Sequence, residues 1–295
     1  MSQPILLTNN LTKTYGSLFA VNNVSLEIEK GALVGLVGKN GAGKTTLIRL
    51  LTGIITPTAG SVQLLTERKP TTVSAIVEKP ALYTNFRAID NLRMQCKLLG
   101  IPADETYLKE TLKLVSLAPE SRLKVKEFSL GMKQRLAIAM AVVGKPEILI
   151  MDEPTNGLDP QGIHDIREFL VKLNEEYGTT IIVSSHILTE LSKFVKEYVF
   201  MNNGKVVARS SPEEVEKLCG KHLRIVVDNV EVAKSVLSQM GEVRPTAINT
   251  LEFTGETPST EVVMALAQAN VNVASIVNVG DSLEEFFIKL VGENK

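Results

Sequence analysis

The sequence has few of the features that mark secreted, metal-rich or membrane-spanning proteins. Its two cysteines, Cys96 and Cys219, stand far apart and have neither the spacing of a metal site nor that of a disulfide framework. No apolar run reaches the roughly 18 residues that a membrane-spanning helix needs, and residues 136–144 come nearest. The first residues lack the basic and apolar regions of a signal peptide. We therefore expect a cytoplasmic protein with reduced thiols.

An excess of charge of one sign is also missing. The chain has 32 Lys and Arg residues against 33 Asp and Glu residues, for a formal net charge of −1. A protein that binds nucleic acid through a broad surface usually presents a strongly basic one, so we expect no nucleic-acid partner. With 295 residues, of which 44% are hydrophobic, the chain can form one large or two moderate domains.

The most informative segment that is present is the glycine-rich octapeptide Gly-Lys-Asn-Gly-Ala-Gly-Lys-Thr at residues 38–45. It follows an apolar run typical of a buried strand and precedes residues with helical spacing, which is the context of a P-loop. Gly41 and Gly43 allow the backbone to turn tightly, so that its N–H groups can surround a phosphate. The helix N-terminus adds positive partial charge. The sequence therefore predicts binding of a nucleoside triphosphate.

The residues expected to contact the nucleotide lie in and just after this loop. Lys44 is expected to reach the β- and γ-phosphate oxygens and to take part in catalysis, and the Thr45 hydroxyl to bind Mg²⁺. The full set is Gly38, Lys39, Asn40, Gly41, Ala42, Gly43, Lys44, Thr45 and Thr46.

The order of strand-like and helix-like segments predicts an α/β fold. Residues 5–37 are rich in short strands, residues 88–143 have helical periodicity, and strands and helices then alternate to about residue 183. Such alternation predicts a largely parallel sheet. A capping box at residues 211–214 opens a short helix, and we place a domain boundary after residue 218.

Residues 219–295 predict a second, smaller α+β domain. Their strands and helices follow the order β-α-β-β-α-β, which fits a ferredoxin-like fold, and a capping box at residues 282–285 opens a closing helix. No catalytic constellation occurs in this segment. We expect it to have a packing, dimer-supporting or regulatory role.

Three further segments identify a family. The sequence Phe-Ser-Leu-Gly-Met-Lys-Gln-Arg at residues 128–135 precedes a helix, Asp-Glu-Pro-Thr-Asn-Gly-Leu-Asp at residues 152–159 follows a buried strand, and Ser-Ser-His at residues 184–186 ends the next strand. In this order they resemble the signature, Walker B, D-loop and H-loop segments of the ATP-binding subunits of ABC transporters. The resemblance covers about residues 5–215. It implies a P-loop NTPase with a RecA-like core, an N-terminal antiparallel β region and a helical subdomain, within a domain at residues 1–218 that hydrolyses ATP with Mg²⁺.

The resemblance assigns roles near the phosphates and the base. Asp152 would hold Mg²⁺ through water, Glu153 would orient the attacking water and accept its proton, and His186 would contact the γ-phosphate. Tyr15 would stack on the adenine. The alternatives are carboxylates that merely end a strand, a structural histidine and a tyrosine at a strand edge.

The resemblance also implies that two ATP-binding domains share each nucleotide. Ser129, Gly131 and Asp159 would act on the ATP of the other subunit, which is either a second copy of this chain or a homologue. The signature departs from the family pattern, because Leu130 replaces a glycine and Met132 a glutamine. An active site is expected, and a slow, degenerate site is the alternative.

Glu78 stands where most of these subunits have a glutamine that senses Mg²⁺ and the γ-phosphate. A carboxylate can bind Mg²⁺, so Glu78 is a predicted metal ligand. Together with the following Pro80 and Tyr83 it resembles the subgroup that serves bacitracin-resistance and lantibiotic-protection exporters. The neighbouring Leu82, Tyr83 and Phe86 either pack in the core or form a groove for a separate transmembrane permease on the inner face of the membrane.

Other functions stay open at this point. A soluble ABC-type ATPase that acts on DNA or ribosomes, a P-loop kinase, and a transporter ATPase for another cargo are the alternatives. The segments around Ser129 and Asp159, which a kinase does not need, favour an ABC transporter ATPase, and the Glu78 region alone favours export of a peptide antibiotic or related drug.

Overall fold

The computed structural model describes residues 3–66, 72–78, 81–219, 221–255, 257–280, 286–288 and 290. The chain forms two compact units that divide after Pro212, whereas the sequence predicts a boundary after residue 218. The difference is one short helix, Pro212–Leu218, which groups with the second unit apart from its first residue. Pro80 and the predicted capping box at residues 282–285 lie outside the described residues.

The first unit contains both strands and helices. The strands are β1 (Pro4–Tyr15), β2 (Leu18–Glu29), β3 (Leu33–Val37), β4 (Ala59–Leu64), β5 (Val73–Ile76), β6 (Ile148–Asp152), β7 (Thr180–Ser185), β8 (Glu197–Asn202) and β9 (Lys205–Ser210). The helices are α1 (Lys44–Leu51), α2 (Ala88–Leu99), α3 (Glu105–Leu114), α4 (Leu130–Val142), α5 (Pro160–Tyr177) and α6 (Leu188–Leu191).

The N-terminal strands form an antiparallel sheet with the order β2-β1-β4. Val24, Leu26 and Ile28 of β2 are buried and alternate with exposed residues, because side chains along a strand point to opposite faces in turn. The N-terminal antiparallel region that the sequence predicts is therefore confirmed.

The central sheet of the first unit has the order β5-β6-β7-β3-β8-β9. Its strands run parallel from β5 to β8, and β9 pairs antiparallel with β8. Every residue of β3, β6 and β7 is buried, as expected of parallel strands that are covered on both faces. The carboxyl ends of these three neighbouring strands meet at one edge of the sheet, where ligands of such sheets usually bind.

The sequence predicts helices over residues 88–143. In the structure, α2 begins at Ala88 and α4 ends at Val142. Helix α2 ends at Leu99, and the following Gly100 adopts a left-handed φ of 69°. None of the helices within the described residues is long and apolar enough to cross a membrane.

The second unit contains α7 (Pro212–Leu218), β10 (Lys221–Val227), α8 (Val230–Leu237), β11 (Glu242–Ala247), β12 (Thr250–Thr254), α9 (Ser259–Gln268) and β13 (Val273–Gly280). Its sheet has the order β11-β12-β10-β13, and all neighbouring strands are antiparallel. Leu237 of α8 and Leu266 of α9 are buried in one cluster with Ile225, Leu251 and Phe253 of the sheet. From β10 to β13 the elements follow the order β-α-β-β-α-β.

Candidate functional site

The loop between β3 and α1 has a conformation that only glycine accommodates at Gly43. Its φ is 104°, and a Cβ atom placed there would lie 2.3 Å from the carbonyl oxygen of Ala20. Gly41 also has a positive φ, of 83°. The helix begins directly afterwards, at Lys44, so the first N–H groups of α1 are free to face a phosphate.

The Lys44 ammonium lies inside this loop. Its Nζ donates to the carbonyl oxygen of Gly38 at 2.7 Å and lies 3.3 Å from Oε1 of Glu153. The side chain is only 7% exposed. A buried charge is costly unless it is paired. The carbonyl oxygen and the carboxylate therefore hold the ammonium where phosphate oxygens of a nucleotide could replace them.

Asp152 is the centre of a hydrogen-bond network at the ends of β6 and β7. Its Oδ2 accepts from the Thr45 hydroxyl at 2.7 Å, and its Oδ1 accepts from the Ser184 hydroxyl at 2.6 Å. The Ser184 Oγ in turn accepts from the backbone N–H of Glu153 at 2.9 Å. The network therefore connects the P-loop helix with both acidic residues.

Ser184 was not predicted as a site residue. It pairs with Asp152 in the register of β6 and β7 and is fully buried. The signal that could have identified it is a hydroxyl residue at the end of an otherwise apolar strand, next to the strand that carries the aspartate.

Glu153 is held from two sides. Its Oε2 lies 2.8 Å from Nδ1 of His186, while Oε1 faces Lys44. The backbone φ of Glu153 is 50°, a left-handed value that is uncommon outside glycine and often occurs at functional sites. With its side chain 21% exposed, the carboxylate is accessible to a water molecule at the mouth of the loop.

The oxygen atoms around Asp152 suit Mg²⁺. A hydroxyl and a carboxylate are ligands that this ion accepts, and it commonly keeps several waters and substrate phosphates in addition. No group of three or more His, Cys, Asp or Glu side chains that could hold a metal occurs among the described residues. Thr45 and Asp152 could thus hold an ion that also binds the phosphates of a nucleotide.

Glu78 has a different partner. Its Oε1 accepts a hydrogen bond from the Arg49 guanidinium of α1, and its own φ is 60°. Arg49 was not predicted as part of the site. Sequence spacing carries no signal for this pair, since 29 residues separate the two side chains.

The predicted signature and D-loop residues cap two helices. The Ser129 Oγ accepts from the N–H of Met132 at 3.2 Å, and Oδ1 of Asp159 accepts from the N–H of Gly162 at 2.9 Å. Leu130, which stands in place of a glycine, is 58% exposed.

The remaining predicted contacts are aromatic and exposed. Tyr15 ends β1, and the Lys13 ammonium lies 5.4 Å from the centre of its ring. Tyr83 and Phe86 are exposed and pack edge to face, with ring centres 6.2 Å apart.

Comparisons with known proteins show what the chain is similar to. A family model for ABC transporters matches residues 21–156. A bacitracin transport ATP-binding protein of Enterococcus faecalis is 36% identical over 98% of this chain and 96% of its own length. A lantibiotic transport ATP-binding protein of Streptococcus pyogenes is 39% identical over 72% of this chain and 94% of its own.

A solved structure supports the same assignment over 70% of the chain. A dimeric ATP-binding cassette in a post-hydrolysis state, bound to ADP and phosphate, superposes with a TM-score of 0.62 at 27% identity, over 70% of this chain and 99% of that one. The predicted ABC-type resemblance is confirmed, and with it ATP binding and hydrolysis. This chain belongs to the ATP-binding subunits of ABC transporters.

Proposed function

We propose that ATP hydrolysis by this chain drives export of a peptide antibiotic through a separate transmembrane permease. The observation that carries the proposal is the match to the bacitracin transport protein, which extends over 98% of the chain and so includes the second unit. The lantibiotic transport relative, matched over 72% of the chain, supports a peptide cargo for the ATPase part.

The residues of the P-loop would bind the triphosphate. Phosphate oxygens compete with Glu153 for the Lys44 ammonium, so ATP binding frees Oε1 of the carboxylate. That oxygen then accepts the proton of the water that attacks the γ-phosphate. A His186 ring protonated at Nδ1 donates to Oε2 and fixes the orientation of Glu153.

Thr45 and Asp152 are the proposed holders of Mg²⁺, with Glu78 as a third ligand. The ion, when bound, would neutralise negative charge on the phosphates. To bind the ion, the Glu78 carboxylate would have to release its hydrogen bond with Arg49. Tyr15 is the proposed platform for the adenine, and its exposed ring is free to stack.

ABC-type ATP-binding cassettes act as dimers, and we propose that the partner is a second copy of this chain or a homologous subunit. Ser129, Gly131 and Asp159 would then complete the pocket around the nucleotide of the other chain. Leu130, beside Ser129, supports this proposal, because its exposed side chain is available for contact with another chain.

The permease would hold the chain at the inner face of the membrane. Tyr83 and Phe86 are the proposed docking residues together with Leu82, and the support is the exposure of the two aromatic rings just before α2. Exposed apolar clusters commonly mark interaction sites.

A resistance assay tests the cargo. The chain and the membrane protein encoded beside it are expressed in a sensitive bacterium, and growth is measured in bacitracin or a lantibiotic. We expect protection from the wild type and none from Glu153→Gln, with equal expression as the control. Equal sensitivity with both chains, when the purified wild type hydrolyses ATP, would reject a peptide-antibiotic cargo without rejecting the ATPase.

A further inference from the structure

We propose that β13 pairs with β13 of a second copy of this chain, antiparallel about a twofold axis, so that the two C-terminal sheets join edge to edge. This inference does not depend on the cargo or on the mechanism proposed above. It concerns the second unit alone, for which no ligand or partner has been assigned so far.

The starting observation is that one edge of the C-terminal sheet is protected. Strand β11 carries charges at Glu242 and Arg244, which pair at 2.7 Å, and a proline at position 245 that has no N–H to donate. The register with β12 is irregular between Pro245 and Ala247. Charge, proline and irregular pairing are the devices by which proteins prevent another strand from adding to an edge.

The opposite edge has neither charge nor proline, and its register is irregular between Val273 and Ser275. Strand β13 reads Val-Ala-Ser-Ile-Val-Asn-Val-Gly, with no charge and no proline over eight residues. Its pairing with β10 is regular from Ser275 to Gly280, and among the described strands β10 is its only neighbour. Ala274, Ser275 and Val277 are exposed, Val277 at 53%. A long, neutral, β-branched edge of this kind favours addition of a strand.

A second copy of this chain is the partner that the sequence of β13 suits best. When identical strands pair about a twofold axis they run antiparallel, so a residue at the axis faces itself and every other residue faces the one at the mirrored position. A charge at the axis would then face a like charge, which is destabilising, and β13 has no charge at any position where the axis could lie. A second chain is also at hand, since cassettes of this family act as dimers.

Cysteine cross-linking of the full-length chain tests the pairing. Ser275→Cys, Val277→Cys and Val279→Cys variants are oxidised alone and mixed in pairs, without nucleotide and with ATP. These positions lie on one face of the strand, so the combinations sample each twofold axis from residue 275 to residue 279. Facing residues in antiparallel strands are about 4.5–5.5 Å apart, within the range that a disulfide spans.

The matched control is Arg244→Cys on the protected edge, because it is also exposed and lies on the same sheet. The native Cys96 and Cys219 are buried, so the background should be low. We expect at least about tenfold more linked dimer from one β13 combination than from the control, in either nucleotide condition. Linking no greater than the control in both conditions overturns the inference, and would be the result if a permease or another protein covers this edge. Since ATP-dependent dimers are measured separately, such a failure leaves the ATPase proposal unaffected.

Discussion

The two units use similar side chains for different ends. Each contains a glutamate close to a histidine and a cation. Glu153 lies 2.8 Å from His186 and 3.3 Å from Lys44, and Glu252 lies 3.8 Å from His222 and 3.0 Å from Arg224. Only the first set lies beside a phosphate-binding loop.

The difference comes from the direction of the strands. In the parallel sheet, β3, β6 and β7 end at the same edge, so the loops that follow them converge. In the antiparallel sheet, Arg224 and Glu252 face each other along the middle of β10 and β12. Similar residues therefore make a site in one unit and a cross-strand ion pair in the other.

The largest expected effect tests this comparison directly. Glu153→Gln should lower ATP hydrolysis by about 10²–10⁴-fold, because the amide cannot accept the proton of the attacking water. ATP affinity should remain, as measured by equilibrium binding. The matched control is Glu252→Gln in the second unit, whose activity should equal that of the wild type; a similar loss in both variants would contradict the comparison.

The next effect concerns the core of the second unit. Phe253 is 1% exposed, and Phe253→Ala should destabilise this unit by about 3–5 kcal/mol through lost burial and a cavity. Hydrogen exchange should report faster exchange in β10, β12 and β13. ATP affinity should be unchanged if the units fold separately, and a parallel loss of nucleotide binding would show that they do not.

Removal of Ser184 should have a smaller effect. Ser184→Ala leaves Oδ1 of Asp152 and the N–H of Glu153 without their hydroxyl partner, at a cost of about 1–3 kcal/mol in the free energy of unfolding. The denaturant concentration at the midpoint of unfolding and the ATPase rate should both fall. Ser238→Ala in the second unit, which removes an exposed hydroxyl bonded to the Lys234 carbonyl, should change neither by a comparable amount.

The smallest effect concerns a partly exposed ion pair in the first unit. It tests whether solvent exposure limits the contribution of an ion pair to stability. A hydrogen bond from Arg87 holds the pKa of the Asp90 carboxyl below its ordinary value, with a further contribution from the charge of Arg93. The stabilisation is therefore present above the ordinary pKa and is lost as the pH falls through the lowered one. Asp90→Asn should lower the melting temperature slightly near pH 7, because the pair is partly exposed, and this difference from the wild type should disappear as the pH falls through the lowered pKa. A large loss at neutral pH would contradict the prediction.

Much of the first unit could be predicted because its signals are local. The P-loop requires glycines at fixed positions, and buried parallel strands are continuous apolar runs, as at residues 148–151. Helix α5 begins at Pro160, directly after its Asp159 cap, and such a cap is also a local signal.

Contacts between distant segments could not be predicted in this way. Ser184 bonds to Asp152 across 32 residues, and Arg49 reaches Glu78 across 29. Both contacts depend on which strands are neighbours and on the direction of each side chain. Residue spacing in the sequence predicts neither. The division of the chain after Pro212 likewise depends on which unit the helix Pro212–Leu218 packs with.

The central claim is that two chains enclose each nucleotide, and sedimentation of Glu153→Gln in saturating ATP and Mg²⁺ tests it most directly. We predict that ATP raises the dimer fraction above that of the nucleotide-free chain, and that Ser129→Glu in the same chain abolishes this increase, because the added charge would meet the phosphates of the partner's nucleotide. A Glu153→Gln chain that binds ATP and stays monomeric would contradict the account.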